Sequence, residues 1–425
     1  MLHQFTFKNV KSFKDETTLN LLASSIKEHP NDVASDVFNE QVLTVAAIYG
    51  ANASGKSTVI DAFNVMRHLV LFSFRNTLSS RFTPEPYWFE DKDTPSEFST
   101  LFSTNGNIYQ HGFSYLNGEV VEEYLYKRDE SKKKESYIQL FERTSNKISG
   151  EILKSIKEDT ILELIEENTL LVSVLSNLKI ESIQEVFQWY RGVRVVDYGN
   201  PHREMFGINR LNSSAVRTSP LVKLLEDKDE KKQIENFIQA IDVGITKLGV
   251  IENRIDDDNP FEDDETKITK RVVSYHKDPN SNKLIMTPIS CESSGTQKML
   301  MLYVDLKQIL DTGGTIFIDE LDAKLHPLLI RYIIIMFHDD KLNPNHAQLI
   351  FSTQEVFTLD KDNLRRDEIW FTDKDKNGVS ELYSLDSYVD DDNKKIRNDA
   401  SYGKDYILGR YKSIPSLKRM EDIDG

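Results

Sequence analysis

The nine residues Gly50-Ala51-Asn52-Ala53-Ser54-Gly55-Lys56-Ser57-Thr58 constrain the fold more than any other stretch of the chain. They match G-x-x-x-x-G-K-[ST], the loop whose backbone N–H groups cradle phosphates, with Gly50, Gly55, Lys56 and Ser57 in the required positions. The flanks agree. Val42 to Tyr49 is an apolar run of strand length, and Val59, Ala62, Phe63, Met66 and Val70 recur at helical spacing. A loop joining a buried strand to a helix in this way turns successive N–H groups toward an anion at the positive end of the helix. Lys56 is then expected on the β- and γ-phosphates, and the Ser57 hydroxyl on Mg²⁺.

A second half of the site is expected late in the chain. Glu292 to Gln297 opens an apolar helix carrying Met299, Leu300, Leu302, Tyr303, Leu306 and Leu310. The small and hydroxylated residues Ser294, Gly295, Thr296 and Gln297 at its start leave N–H groups for an anion. About twenty residues on, Thr315 to Asp322 runs without charge into Asp319 and Glu320. An apolar strand ending in two carboxylates belongs at the carboxyl edge of a parallel sheet, beside the phosphates. Asp319 is expected to hold Mg²⁺ and Glu320 to polarise the attacking water. Gln348 to Thr353 is a further strand, and Gln354, just past its end, stands where a γ-phosphate sensor would sit.

Composition bounds the rest. A chain of 425 residues exceeds one ordinary core. A formal charge of -16 argues against nonspecific coating of nucleic acid, though not against a local basic groove. The single cysteine, Cys291, excludes an intramolecular disulfide framework. No secretory signal is visible, and runs such as Tyr332 to Phe337 are far too short to span a bilayer, so a cytoplasmic protein without membrane contact is expected.

In order, residues 1–22 read as strand, turn and strand, with Lys8, Lys11 and Lys14 at the turn as a solvated edge. Phe98 to Tyr115 reads as two strands broken at Asn105-Gly106, a strong hairpin signal, and Val120 to Arg128 and Ser136 to Arg143 extend an antiparallel sheet. Ile152 to Glu166, Glu181 to Arg191 and Glu230 to Leu248 show helical spacing. The acidic run Asp256 to Glu265 reads as an exposed loop, and Lys267 to Ser274 with Lys283 to Thr287 as a hairpin. The expected fold class is α/β, a mixed central sheet with an antiparallel β subdomain, in three segments: 1–147, a helical insertion over 148–250, and 251–425.

The four landmarks in this order resemble ATP-binding-cassette heads. The opening FTFKNVKSFKDETTLNL is similar to the strand pair of the soluble, DNA-associated branch containing SMC proteins, RecF and the OLD nucleases. More narrowly, Leu325-His326-Pro327, LRRDEIWFTDKDKNGVSELYSL and YILGRYKSIPSL resemble the RloA-like prokaryotic ATPases of phage-defence loci and the ATPase of the PARIS system. That resemblance implies ATP and Mg²⁺ as ligands, with Gln110 a candidate Mg²⁺ sensor. It implies a head-to-tail homodimer, or a larger even-numbered assembly, in which Ser294 to Gln297 of one subunit close over the nucleotide of the other. Only 105 residues follow Glu320, already used by the head, so a separate effector such as a Toprim-like nuclease is implied. Two positions depart from the pattern: Gln354 replaces a usual histidine, and Lys412 stands where glycine is common. Three functions stay open: an ATP-driven sensor or regulator of a DNA-associated or anti-phage effector, an ATP-binding dimerisation scaffold with little turnover, and a RecF-like DNA repair clamp.

Overall fold

The computed structural model describes residues 1–36, 38–75, 83–129, 131, 136–144, 147–199, 219–240, 244–255, 267–390 and 393–414. The acidic run 256–265, most of the irregular stretch 195–220 and the last residues of YILGRYKSIPSL lie outside them. Two compact units emerge, one of residues 1–196, 310–322 and 330–425, the other of 197–309 and 323–329. The expected insertion 148–250 is therefore divided between them, because Glu181–Gly192 packs into the first unit through Trp189, which stacks on Phe102 at 3.9 Å, and Tyr190.

In the first unit a six-stranded sheet runs in the order Arg194–Asp197, Thr315–Asp319, Gln348–Ser352, Val45–Gly50, Ile369–Lys374, Ser380–Ser384. Thr315–Asp319, Gln348–Ser352, Val45–Gly50 and Ile369–Lys374 pair in parallel, and Ser380–Ser384 is antiparallel. Every residue of Val45–Gly50 is buried, the continuous apolar reading a strand covered on both faces requires. Beside it lies a seven-stranded antiparallel sheet containing Leu2–Lys8, Ser96–Thr104, Asn107–Leu116, Glu119–Arg128 and Tyr137–Thr144. The helix Lys56–Phe72 joins the sheets: Phe63 stacks on Phe317 at 4.2 Å and meets Phe5 edge-on at 5.2 Å. Buried Gln348 adds a polar joint, its Nε2 donating to the carbonyls of Leu2 (2.9 Å) and Leu43 (3.0 Å).

The Asn105-Gly106 hairpin forms as expected, with φ of 48° and 82°, the pair of left-handed residues that a tight type I′ turn needs. Asn117-Gly118 makes a second one between the next two strands. Lys412 has φ 67°, a left-handed conformation that favours glycine and that a lysine adopts at a steric cost.

The second unit holds a three-stranded antiparallel sheet, Ile245–Ile255, Lys267–Lys277 and Leu284–Pro288, with the helices Pro220–Glu226 and Lys228–Ala240 and the first part of Ser294–Thr312. The helix expected over Glu230 to Leu248 ends at Ala240. Gly244 at φ 69° precedes a strand there, and Leu248 pairs as sheet, its N–H also donating to Glu235 at 2.9 Å. Ile152 to Glu166 forms only two short turns of helix, Glu151–Lys154 and Glu158–Leu162. The hairpin of Lys267–Lys277 with Leu284–Pro288 matches its expectation.

Candidate nucleotide-binding site

The loop between Val45–Gly50 and Lys56–Phe72 can be built only with glycine at its two ends. Gly50 has φ 154° and Gly55 φ 120°. A Cβ on Gly50 would lie 2.5 Å from Thr372 Oγ1 and 2.6 Å from the Thr372 carbonyl, and one on Gly55 would lie 2.8 Å from the Phe13 ring. Neighbouring strands fix the loop from outside. Ser54 Oγ bonds Thr372 Oγ1 at 2.5 Å, and Ser380 Oγ donates to the Ser54 carbonyl at 2.7 Å. The helix starts at Lys56 with no side chain capping its N-terminus, the arrangement that leaves backbone donors for an anion.

Lys56 is buried, and its ammonium donates to the carbonyls of Gly50 (2.8 Å) and Ala51 (3.0 Å). Burial pulls its pKa below the usual lysine value, while Asp319, Asp322 and Glu320 oppose that shift. The cation therefore sits within the field of three carboxylates. Around it lies a cleft of about 320 Å³ lined by Lys11, Ser12, Asn52, Ala53, Gly55, Lys56, Ser57, Thr58, Glu320, Gln354 and Lys374. Asn52, Ala53 and Ser57 are exposed there, whereas Ser54 is turned inward as an anchor.

The acidic side is organised by Ser352. Thr315–Asp319 and Gln348–Ser352 run in parallel register, Ile318 opposite Phe351, which sets the two strand ends side by side. Ser352 Oγ donates to Asp319 Oδ1 and accepts the Glu320 N–H at 2.8 Å. Glu320 itself has φ 51°, rare for a residue with a full side chain, and the Ser352 contact holds it there. The Gln354 N–H donates to Asp322 Oδ2 at 3.2 Å, and the Gln354 side chain is exposed on the cleft. The loop, Glu320 and Gln354 thus meet in one cleft, with Asp319 one residue from Glu320.

Gln110 does not line this cleft. It lies on Asn107–Leu116, in register with Leu101 and Tyr126. Ser294 to Gln297 belong to the second unit. There Ser293 Oγ accepts the Thr296 N–H at 3.1 Å, while Ser294 is exposed and Thr296 and Gln297 are buried. The approach to this helix is set by Glu292, whose Oε1 contacts His276 Nε2 at 2.6 Å and accepts from Ser274 Oγ.

Sequence reasoning singled out neither Ser352 nor Asp322, and it left Lys374 in a charged turn. Lys11, read as a solvated edge, lines the cleft while pairing with Asp61 at 2.9 Å; Lys8 and Lys14 form surface pairs with Glu97 and Glu90. The available signal was the serine before Thr353-Gln354 at the end of a strand expected beside the Asp-Glu strand.

A glycine-built loop at a helix start, a buried lysine and a strand ending in Asp-Glu define a P-loop nucleotide-binding fold. The profile of the family described as "AAA domain, putative AbiEii toxin, Type IV TA system" matches residues 45–360, and the chain belongs to that family. No curated protein is significantly similar in sequence. Among solved structures, an SMC head bound to the C-terminal winged-helix domain of ScpA is similar at 13% identity and TM-score 0.38, covering 90% of this chain and 97% of that one. The SMC head domain from Thermotoga maritima is similar at 15% and 0.36, covering 90% and 98%. An Smc head with an extended coiled coil, bound to the C-terminal domain of ScpA derived from Pyrococcus furiosus, is similar at 14% and 0.37, covering 90% and 96%. These likenesses carry no weight beside the site's own geometry. Among the described residues, no helix is long and apolar enough to cross a membrane.

Proposed function

We propose that the chain is an ATP-binding-cassette-type ATPase whose nucleotide cycle switches a dimer and thereby controls a separate effector. The observation that carries this reading is the convergence of Lys56, Ser57, Glu320 and Gln354 on one cleft, with Asp319 fixed beside it by Ser352. The residues present fit ATP with Mg²⁺: the cradle excludes any Cβ at Gly50 and Gly55, the lysine is buried, and a hydroxyl and a carboxylate stand ready as oxygen donors. Ser57 and Asp319 would hold the Mg²⁺, which when bound neutralises charge on the phosphates.

The chain's own residues do the remainder. Lys56 and the N–H groups at the start of Lys56–Phe72 bind the β- and γ-phosphates. Glu320 accepts a proton from the attacking water, and its constrained backbone fixes where that carboxylate can reach. Gln354 orients the water or the γ-phosphate as a neutral amide. Ser294 to Gln297 of one subunit close on the γ-phosphate held by the other, so that loss of that group removes charge-assisted hydrogen bonds and opens the dimer. An effector in a DNA-associated or anti-phage system would read that opening.

Mixing two variants tests the shared site. Lys56→Ala lacks the phosphate loop's cation, and Ser294→Arg blocks the helix start, so each alone is expected to lose hydrolysis. One intact composite site forms when the two are mixed, and activity should return. Full activity of Ser294→Arg alone, or no recovery on mixing, would count against the head-to-tail arrangement.

A further inference from the structure

We propose that His3, Asp36 and Glu40 form a binding site for a first-row divalent cation of the Zn²⁺ or Mn²⁺ class, separate from the nucleotide cleft. His3 lies on the strand Leu2–Lys8, and Asp36 and Glu40 flank the turn of the hairpin Val33–Ser35 with Gln41–Leu43. One ligand atom from each lies within 4.8 Å of the others.

The division of labour within each side chain points to a ligand. Asp36 Oδ1 accepts the N–H groups of Phe38 and Glu40, each at 2.8 Å. Glu40 Oε1 accepts from Arg128 Nη1 at 2.7 Å. His3 Nε2 contacts Ser103 Oγ at 3.1 Å. One heteroatom of every residue is thus held by an outer partner, as metal ligands commonly are. The other atoms are turned into the cluster: His3 Nδ1 and Asp36 Oδ2 are fully buried and have no hydrogen-bond partner. Glu40 Oε2 is 4.0 Å from His3 Nδ1, while Asp36 Oδ2 lies nearer the other ring nitrogen, 3.6 Å from Nε2. With Nε2–H donating to Ser103, the Nδ1 lone pair is directed at the cluster, 4.0 Å from Glu40 Oε2, where a cation would bridge imidazole and carboxylate.

The donor set selects the class of ion. One imidazole and two carboxylates suit borderline divalent ions, whereas Ca²⁺ takes six to eight oxygens and Cu(I) prefers sulfur. Ligands about 2.1 Å from a tetrahedral Zn²⁺ stand about 3.4 Å apart, so the 4.0 Å between His3 Nδ1 and Glu40 Oε2, within a cluster no wider than 4.8 Å, closes by an inward movement of the turn. A bound cation would staple the first strand to the hairpin that leads directly into Val45–Gly50 and the phosphate loop.

The test uses the full chain, tagged at its far end, stripped with EDTA and free of nucleotide. It is loaded separately with ZnCl₂ and MnCl₂, desalted, and its metal content measured by mass spectrometry; Co²⁺ absorption reports the ligand geometry. One retained equivalent of one of these ions is expected, with at least a tenfold loss of affinity in His3→Gln, Asp36→Asn and Glu40→Gln and no loss in Ser57→Ala. Glu40 is partly exposed, so Glu40→Gln is expected to fold even where the buried replacements do not. No retained metal in the wild type, or a folded Glu40→Gln protein that binds as tightly as wild type, would overturn the proposal.

Discussion

Ser352→Ala removes one oxygen from a fully buried position and two hydrogen bonds with it. The bond to Asp319 involves a charged acceptor, a class worth about 1.5–3 kcal/mol, and the stranded Glu320 N–H adds a desolvation cost of about 1–3 kcal/mol. Glu320 can recover part of this by leaving its left-handed conformation, which relieves about 1–2 kcal/mol of backbone strain. That escape predicts a catalytic defect larger than the stability defect. Stability should fall by about 1–3 kcal/mol in a denaturant titration, while Glu320 moves off its reach to the attacking water. A displacement of that kind costs on the order of 10²-fold in kcat. The Mg²⁺ concentration for half-maximal rate should rise as Asp319 loses its orienting partner, with ATP binding changed less than about threefold because the loop and Lys56 are untouched. A Ser352→Ala protein with wild-type kcat and an unchanged Mg²⁺ requirement would show that Ser352 does not position the acidic pair.

Two further outcomes follow from backbone conformation. Lys412→Gly places glycine at φ 67° and should raise stability by about 1 kcal/mol, read as a higher midpoint in thermal unfolding. Gly55→Ala would set a Cβ 2.8 Å from the Phe13 ring and 2.9 Å from Ser380 Oγ at φ 120°. It should abolish ATP binding and destabilise the fold by about 1–3 kcal/mol, measurable by calorimetric titration and denaturant unfolding.

What the sequence made legible was local. The phosphate loop, the Thr315–Asp319 strand ending in acids and the Asn105-Gly106 turn each carry their own backbone requirement within a few residues. Ser352 was not legible as an organiser, because its role arises from the parallel pairing of strands more than thirty residues apart. Lys11 was obscured because a lysine in a charged turn looks solvated until the turn is folded against the cleft. The strand Ile245–Ile255 was hidden in a helical pattern, since Ile234, Phe237 and Ile238 keep helical spacing up to the break at Gly244. Gln110 shows the opposite failure: it is on the expected sheet, yet that sheet's register carries it to a row with Leu101 and Tyr126 and not to the cleft.

The central claim is hydrolysis at the cleft by Glu320, and the most direct measurement is Mg²⁺-dependent ATP turnover by the wild type and by Glu320→Gln, with mass in solution recorded for both in ATP. The account predicts turnover in the wild type, a loss of roughly 10²- to 10⁴-fold in the variant with ATP still bound, and a dimer or larger assembly that persists in ATP. Equal turnover in the two proteins would contradict the role of Glu320, and bound ATP with no turnover in either would leave a nucleotide-dependent scaffold in place of an ATPase.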